Sequence, residues 1–284
     1  MNRDSIGVEI LLFMNRFFKR PVHPFNLEDA GIKTFAEWEF NQSKRINLYY
    51  LPDINLFKEL QGKTILDVGA GGGGKSTFYA LNGAKNVIGI DIKKGFIEQA
   101  KEFASSKGAK NVEFFVANAE KMPFESNSID VCVMNDVFEH LAHPEVTLKE
   151  VARVLKAGGK IFVNSPPYFH PYGAHLSDLI GIPYVHILFP EPVLINAYKK
   201  CASYTKSYEK RVNLRFGVVN GKERITYINR MTVKRFEHIV KNQNDFKILV
   251  YKLIPLKKHL KPLLRTPLGE VFTKMVVFVG EKQT

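Results

Sequence analysis

The spacing of apolar residues changes character three times along the chain. Between residues 4 and 19, Ile6, Ile10, Phe13, Met14, Phe17 and Phe18 recur at helical intervals, and Pro21 ends the run, which predicts an amphipathic helix. A second helix is predicted over 34–50. From residue 64, short apolar runs alternate with amphipathic stretches. Strands are predicted at 64–68, 87–90, 112–116, 129–134 and 160–163, with helices at 76–81, 95–105 and 144–155. Such alternation predicts a parallel sheet covered by helices on both faces. Residues 165–230 break the rhythm with six prolines, Pro166 to Pro192, among aromatic residues. It resumes with a helix at 233–241 and strands at 246–253 and 275–279. The expected organisation is an N-terminal helical cap (1–60), a cofactor-binding core (61–164), a lid insertion after the fifth strand (165–230) and a completion of the core sheet (231–284). An insertion there falls on the carboxyl edge of the sheet, where ligands of open α/β sheets bind.

The clearest motif is ILDVGAGGGGKS, residues 65–76, a strand feeding a glycine turn that opens a helix. Gly69, Gly71 and Gly74 satisfy the dinucleotide spacing G-x-G-x-x-G. Gly69 to Gly74 with Lys75 and Ser76 also satisfy the phosphate-loop spacing G-x-x-x-x-G-K-S. Asp67, two residues before the first glycine, argues against a phosphate, because a carboxylate there repels an anion. It suits a cation. Asp91 ends the next strand, where an acid accepts hydrogen bonds from ribose hydroxyls. An NAD(P)-dependent oxidoreductase would use the same acid. Taken singly, Asp67 also reads as a turn residue and Asp91 as a helix cap.

The chain here resembles the class I S-adenosylmethionine-dependent methyltransferases, in the branch that includes the quinone-biosynthesis enzymes. ILDVGAGGG is similar to their first motif and VIGIDIKKGFIEQAK to their second. The stretch from NAEKMPF to LKAGGKIFV is similar to the third to sixth, in order. The resemblance covers residues 62–164. It implies a Rossmann-like, doubly wound α/β fold with a seven-stranded sheet whose last strand is antiparallel, and S-adenosyl-L-methionine as cofactor. Carried over residue by residue, Asp67, Gly69, Ala70 and Gly71 would line the methionine side. Asp91 and Ile92 would hold the ribose, Asn118, Ala119 and Glu120 the adenine, and Asn135 would face the methionine end. Asn118 stands where many relatives have Asp; its amide can still accept from the adenine amino group.

Methyl transfer needs alignment and exclusion of water, and a base only when the acceptor must lose a proton. The candidates are His140, after the fourth strand, and Tyr168, His170 and His175 in the insertion, which also holds Asp178, His186 and Glu191. Lid packing, a general base and a metal site all stay open for the histidines; no metal-ligand spacing supports the last, and no metal is expected. The aromatic insertion suits a small, apolar or aromatic acceptor. An RNA methyltransferase and a membrane-associated lipid or quinone methyltransferase are the alternatives.

Charge bears on those alternatives. The net charge is +13, and residues 165–284 carry twenty basic against eight acidic residues. That keeps an anionic partner open, and the N-terminal helix keeps a peripheral membrane contact open. No RNA-binding module is recognisable, and NDVF ends the fourth strand where base-amino methyltransferases tend to show N-P-P-Y, which argues against nucleic acid. Two cysteines make no disulfide framework, no apolar run reaches the ~18–20 residues of a membrane span, and the N-terminus lacks a secretory cleavage site. The cytoplasm is the expected location.

Overall fold

The computed structural model describes residues 3–31 and 33–283. Seven strands form one sheet in the order β3-β2-β1-β4-β5-β9-β8. They are β1 (Thr64–Val68), β2 (Asn86–Asp91), β3 (Val112–Val116), β4 (Ile129–Asn135), β5 (Leu155–Ser165), β8 (Phe246–Pro255) and β9 (Thr273–Lys282). The first five pair in parallel, with Leu66 opposite both Ile88 and Cys132. β9 runs antiparallel between β5 and β8, with Phe162 opposite Val279. The architecture is thus the doubly wound sheet with its last strand reversed that the sequence implied.

Both faces of the central strands are buried, which is why they read as unbroken apolar runs. Alternate residues serve opposite layers. Leu66, Cys132, Met134, Ile161 and Val163 face α8 (Pro144–Val154) and α12 (Val233–Lys241), where Phe236 is fully buried. Ile65, Val131, Val133, Phe162 and Val277 face the other way, onto Phe78 and Tyr79 of α6 (Gly74–Leu81) and onto Tyr50 of α4 (Asn47–Tyr50). α7 (Lys94–Ser106) covers the β3 edge through Ile97, Ala100 and Ala104. β9 runs past its apolar segment because its ladder continues into polar residues, Thr273 opposite Pro255 and Glu281 opposite Lys247. Hydrogen-bonded pairing extends there beyond what hydrophobic alternation can reveal.

The N-terminal residues form α1 (Arg3–Asn15), α2 (Pro24–Asp29), α3 (Phe35–Gln42), α4 and α5 (Leu56–Glu59). Residues 165–230 hold α9 (Val185–Leu188), α10 (Glu191–Ala202), α11 (Tyr208–Arg215) and a hairpin of β6 (Phe216–Val219) with β7 (Lys222–Ile225). The hairpin turns at Asn220 and Gly221, both at positive φ, the backbone that a two-residue turn of this twist needs. Val8 and Leu11 of α1 join Leu179, Ile180, Val193 and Tyr198 in a second apolar cluster.

At the centre of this segment Asp178 is fully buried. It accepts from both Arg211 and Arg215, whose side chains are buried as well, and from the Tyr198 hydroxyl at 2.7 Å. Arg211 also donates to Asp29 at 2.8 Å, tying α11 to the end of α2. Removing one partner of a buried ion group leaves uncompensated charge, so Asp178→Asn is expected to destabilise the protein by about 3–5 kcal/mol. Urea denaturation checks this; a loss under about 1 kcal/mol would mean that the arginines find water instead.

Candidate cofactor and acceptor site

The carboxyl ends of β1 and β4 diverge where the strand order reverses, and the glycine turn after β1 opens into that crevice. Gly69 has φ +72°, and a Cβ there would stand 2.4 Å from a Val137 methyl, so only glycine fits. The N–H groups of Gly69 and Ala70 each donate to the Ile90 carbonyl at 2.8 Å. Gly71 N–H donates to Asp91 Oδ2 at 3.2 Å, and Lys93 N–H donates to Asp91 Oδ1 at 2.9 Å. Asp91 therefore shapes the glycine turn while it faces the crevice.

A cavity of about 980 Å³ extends from this crevice. Gly69, Gly71, Asp91, Ile92, Asn118, Ala119, Glu120 and Asn135 line it, and so do His140, His170 and His175. Three residues named from the sequence do not reach its lining. Asp67 is buried because β1 is still inside the sheet there, and Ala70 is buried because it packs with Ile97, Ala100 and Phe114 under the turn. Asp67 Oδ2 accepts from Ser76 Oγ at 2.6 Å, and burial raises its carboxyl to about 6. Tyr168 packs its ring against Phe169 and His186, with the Arg230 guanidinium over it, outside the lining. Of the other insertion residues, Asp178 belongs to the arginine cluster and Glu191 pairs with Arg224 and Arg230.

Sequence reasoning missed Glu39. Thr34 caps α3 by accepting from Glu37 N–H at 3.1 Å, and the helix lies over the glycine turn. Glu39 is buried there, with Oε2 lacking any partner among the described residues. Its other oxygen faces Lys75 Nζ at 3.4 Å; the same ammonium stands 3.5 Å from Asp136 and donates to the Asn135 carbonyl at 3.4 Å. Burial pushes the Glu39 carboxyl up to about 7. Lys75 and Ser76, which complete the literal phosphate-loop spacing, are thus both engaged by carboxylates. The surroundings of the turn hold Glu39, Asp67, Asp91 and Asp136. Buried carboxylates with unfilled acceptor atoms favour a cationic ligand and disfavour a phosphate. A ligand with an ammonium, a sulfonium and a ribose fits them.

Asn118 Oδ1 accepts from Glu120 N–H at 2.9 Å, which leaves Ala119 N–H as the backbone donor of that pair for an incoming ring. Asn135 is locked by Tyr79, whose hydroxyl accepts from its Nδ2 at 3.0 Å, and by Asn164, which donates to its Oδ1 at 2.6 Å. Next to it Asp136 sits at φ +57°, a backbone that non-glycine residues rarely adopt.

The Tyr227 backbone carbonyl accepts from His140 Nδ1 at 2.6 Å. That places the proton on Nδ1 and leaves Nε2 with a free lone pair. Burial lowers the His140 pKa, and the pKa of His175 well below its ordinary value, so both rings are neutral. His170 falls to about 4 and accepts at Nδ1 from Tyr172 N–H. Glu139 Oε2 accepts from Ser165 Oγ at 2.9 Å, and its buried Oε1, 3.8 Å from His140 Nε2, has no hydrogen-bond partner among the described residues. Glu139, His140 and His175 each bring one metal-capable atom within 4.8 Å of the others, a grouping that their spacing along the chain does not foreshadow. Cys132 and Cys201 are free.

Residues 66–163 match the family described as methyltransferase domain. A ubiquinone biosynthesis O-methyltransferase of Coxiella burnetii is 31% identical over 132 residues, 46% of this chain and 55% of that protein. The methyltransferase YcgJ of Bacillus subtilis is 34% identical over 120 residues, 40% of this chain and 47% of that one. The chain spans about half the length of these relatives. A solved structure of an S-adenosylmethionine-dependent methyltransferase from Aquifex aeolicus superposes with a TM-score of 0.51 at 14% identity, over 92% of this chain and 100% of that one. Residues 66–163 thus carry the likeness to a methyltransferase domain, and the chain shares the fold of the solved methyltransferase.

The raised carboxyls make a measurable prediction. A cationic ligand favours their ionised forms, and the sulfonium charge does not titrate. Cofactor affinity is therefore expected to rise with pH through about 6 to 8, where burial holds Asp67, Glu39 and Glu139, and to level off above. Glu39→Gln should remove the part of that rise near pH 7. Titration calorimetry across pH checks both, and a flat profile would mean that neither Glu39 and Glu139, in the cavity lining, nor Asp67, behind the turn, senses the charge of the ligand.

Proposed function

We propose that the chain transfers a methyl group from S-adenosylmethionine to a small, apolar or aromatic acceptor held between the glycine turn and residues 165–230. The observation that carries this reading is one cavity lined both by acidic groups, Glu39, Asp91 and Glu139 among them, and by aromatic and neutral imidazole groups. Asp91 holds the ribose, Asn118 and Ala119 meet the adenine, and Glu39 attracts the ammonium. Phe25, Trp38, Tyr49, Tyr172 and Tyr227 supply an apolar chamber for the acceptor. The name of the Coxiella relative suggests O-methylation of a quinone precursor, and an aromatic hydroxyl is compatible with this chamber.

S-adenosylmethionine supplies an activated methyl group on a positively charged sulfur. The chain's own task is to orient the acceptor, exclude water and take up its proton. His140 suits the last step: its Nδ1–H is pinned to the Tyr227 carbonyl and its Nε2 is free to accept. Burial raises the Glu139 carboxyl beside it to about 8, so Glu139 stabilises the imidazolium that forms only where it is ionised.

Incubation of a metabolite extract with the protein and labelled cofactor, followed by mass spectrometry, tests the reading; absence of any labelled product sinks it. Once an acceptor is in hand, His140→Phe is expected to lower turnover about a hundredfold with cofactor affinity nearly unchanged. Asp91→Ala is expected to weaken cofactor binding by about 1.5–3 kcal/mol. Full turnover in the His140 variant would show that positioning alone suffices. An unchanged dissociation constant for the Asp91 variant would reduce that residue to a shaper of the turn.

A further inference from the structure

The outer side of α1 is left bare by the rest of the chain. Val8 and Leu11 pack inward, while Ile6, Ile10, Phe13 and Phe17 follow at i, i+4, i+7 and i+11 and are 44, 49, 59 and 73% exposed. The rings of Phe13 and Phe17 meet edge to face at 5.3 Å. An apolar stripe facing water at helical spacing adds nothing to the core and marks an interaction surface.

The stripe continues to the mouth of the cavity. Beyond α1 the chain passes exposed Phe18 and reaches Pro21 and Val22, which line the cavity; Val22 is itself exposed. Asn15 anchors the end of α1, donating to the Leu179 carbonyl and accepting from Gly181 N–H, and Gly181 lies against Phe18 and Lys19. A few residues on, Ile187 and Leu188 of α9 are exposed. Tyr184 donates to the Val271 carbonyl, which brings the segment 258–272, with exposed Leu268, alongside. Cations accompany the apolar positions: Arg16, Lys19 and Arg20 follow α1, and Lys257, Lys258 and Lys261 lie at the start of the segment that carries Leu268. All are exposed, and none forms a salt bridge among the described residues. No helix among the described residues is long and apolar enough to cross a membrane.

We propose that this surface docks the protein on an anionic lipid bilayer, with the α1 stripe at the boundary between headgroups and acyl chains and the cavity mouth against the membrane surface. Aromatic and aliphatic residues on one face with flanking cations are what such a boundary retains. A second copy of the chain fits less well, because a two-fold contact sets each cationic cluster against a like patch. Delivery of an apolar acceptor from the lipid straight into the cavity rests on the proposed methyl transfer; the docking does not.

Flotation of the full chain with vesicles tests it. Vesicles of phosphatidylcholine and phosphatidylglycerol in equal parts are expected to carry the protein, pure phosphatidylcholine much less, and added salt to release it. Phe13→Asp with Phe17→Asp is expected to lower the partition about tenfold or more. Lys19→Glu with Arg20→Glu is expected to abolish the preference for anionic vesicles. Cofactor affinity, measured on every variant, reports folding separately and stays at the parent value. Equal flotation with both vesicle types, or an unchanged partition for the Phe13 and Phe17 variant, would overturn the proposal. So would a parent chain that ignores vesicles and dimerises through this face.

Discussion

The close approach of α3 to the glycine turn is the constraint on which the site depends. A Cβ on Gly74 would stand 2.2 Å from the Ala36 carbonyl oxygen, and one on Gly72 would stand 3.1 Å from the Ala36 nitrogen. Backbone therefore lies on backbone, and any side chain in the turn would lift the helix away. Because α3 lies there, Glu39 is delivered to Lys75, and Phe35 stacks on Phe96 of α7 at 5.9 Å. The glycine run is thus a docking surface for the N-terminal helices as well as a turn.

Burial sets the charge of two kinds of group around the cavity. Four carboxylates gather near the turn, Glu39 and Asp67 buried among them, and burying those two without a cation would be strongly unfavourable. Lys75 supplies part of the compensation from within the chain, and burial keeps Glu39 and Asp67 partly protonated for the rest. The same physical cause acts on the opposite kind of group: burial removes the charge from His23, His140, His170 and His175. The carboxylates are prepared for a cation and the imidazoles for neutral chemistry.

The arginine cluster links the fold of residues 165–230 to the cavity. Arg215 is held by Asp178, and its Nε donates to the His175 carbonyl at 2.9 Å. His175 takes up φ +54°, so its ring direction depends on a backbone conformation that this bond helps to hold. The guanidinium also lies over Phe25 of α2 and Tyr227, at 5.2 and 5.9 Å. Three distant segments converge there.

The core strands, the glycine turn and Asp91 were legible in the sequence because each depends on local pattern: buried parallel strands read as apolar runs, and tight turns read as glycine. The Asn220–Gly221 turn was equally legible but lay inside a stretch read only as irregular. The ends of β9 were not legible, since its ladder hydrogen bonds extend through polar residues. Nor was Tyr168, whose aromatic character fits a cavity and a packing cluster equally well. By itself the sequence determined the doubly wound class and the order of its motifs, because hydrophobic period and turn chemistry are properties of neighbouring residues. Only the tertiary structure decided that Glu39 meets Lys75, that Glu139, His140 and His175 converge, and that one side of α1 stays bare. Those facts depend on which distant surfaces pack together, and no local spacing encodes that.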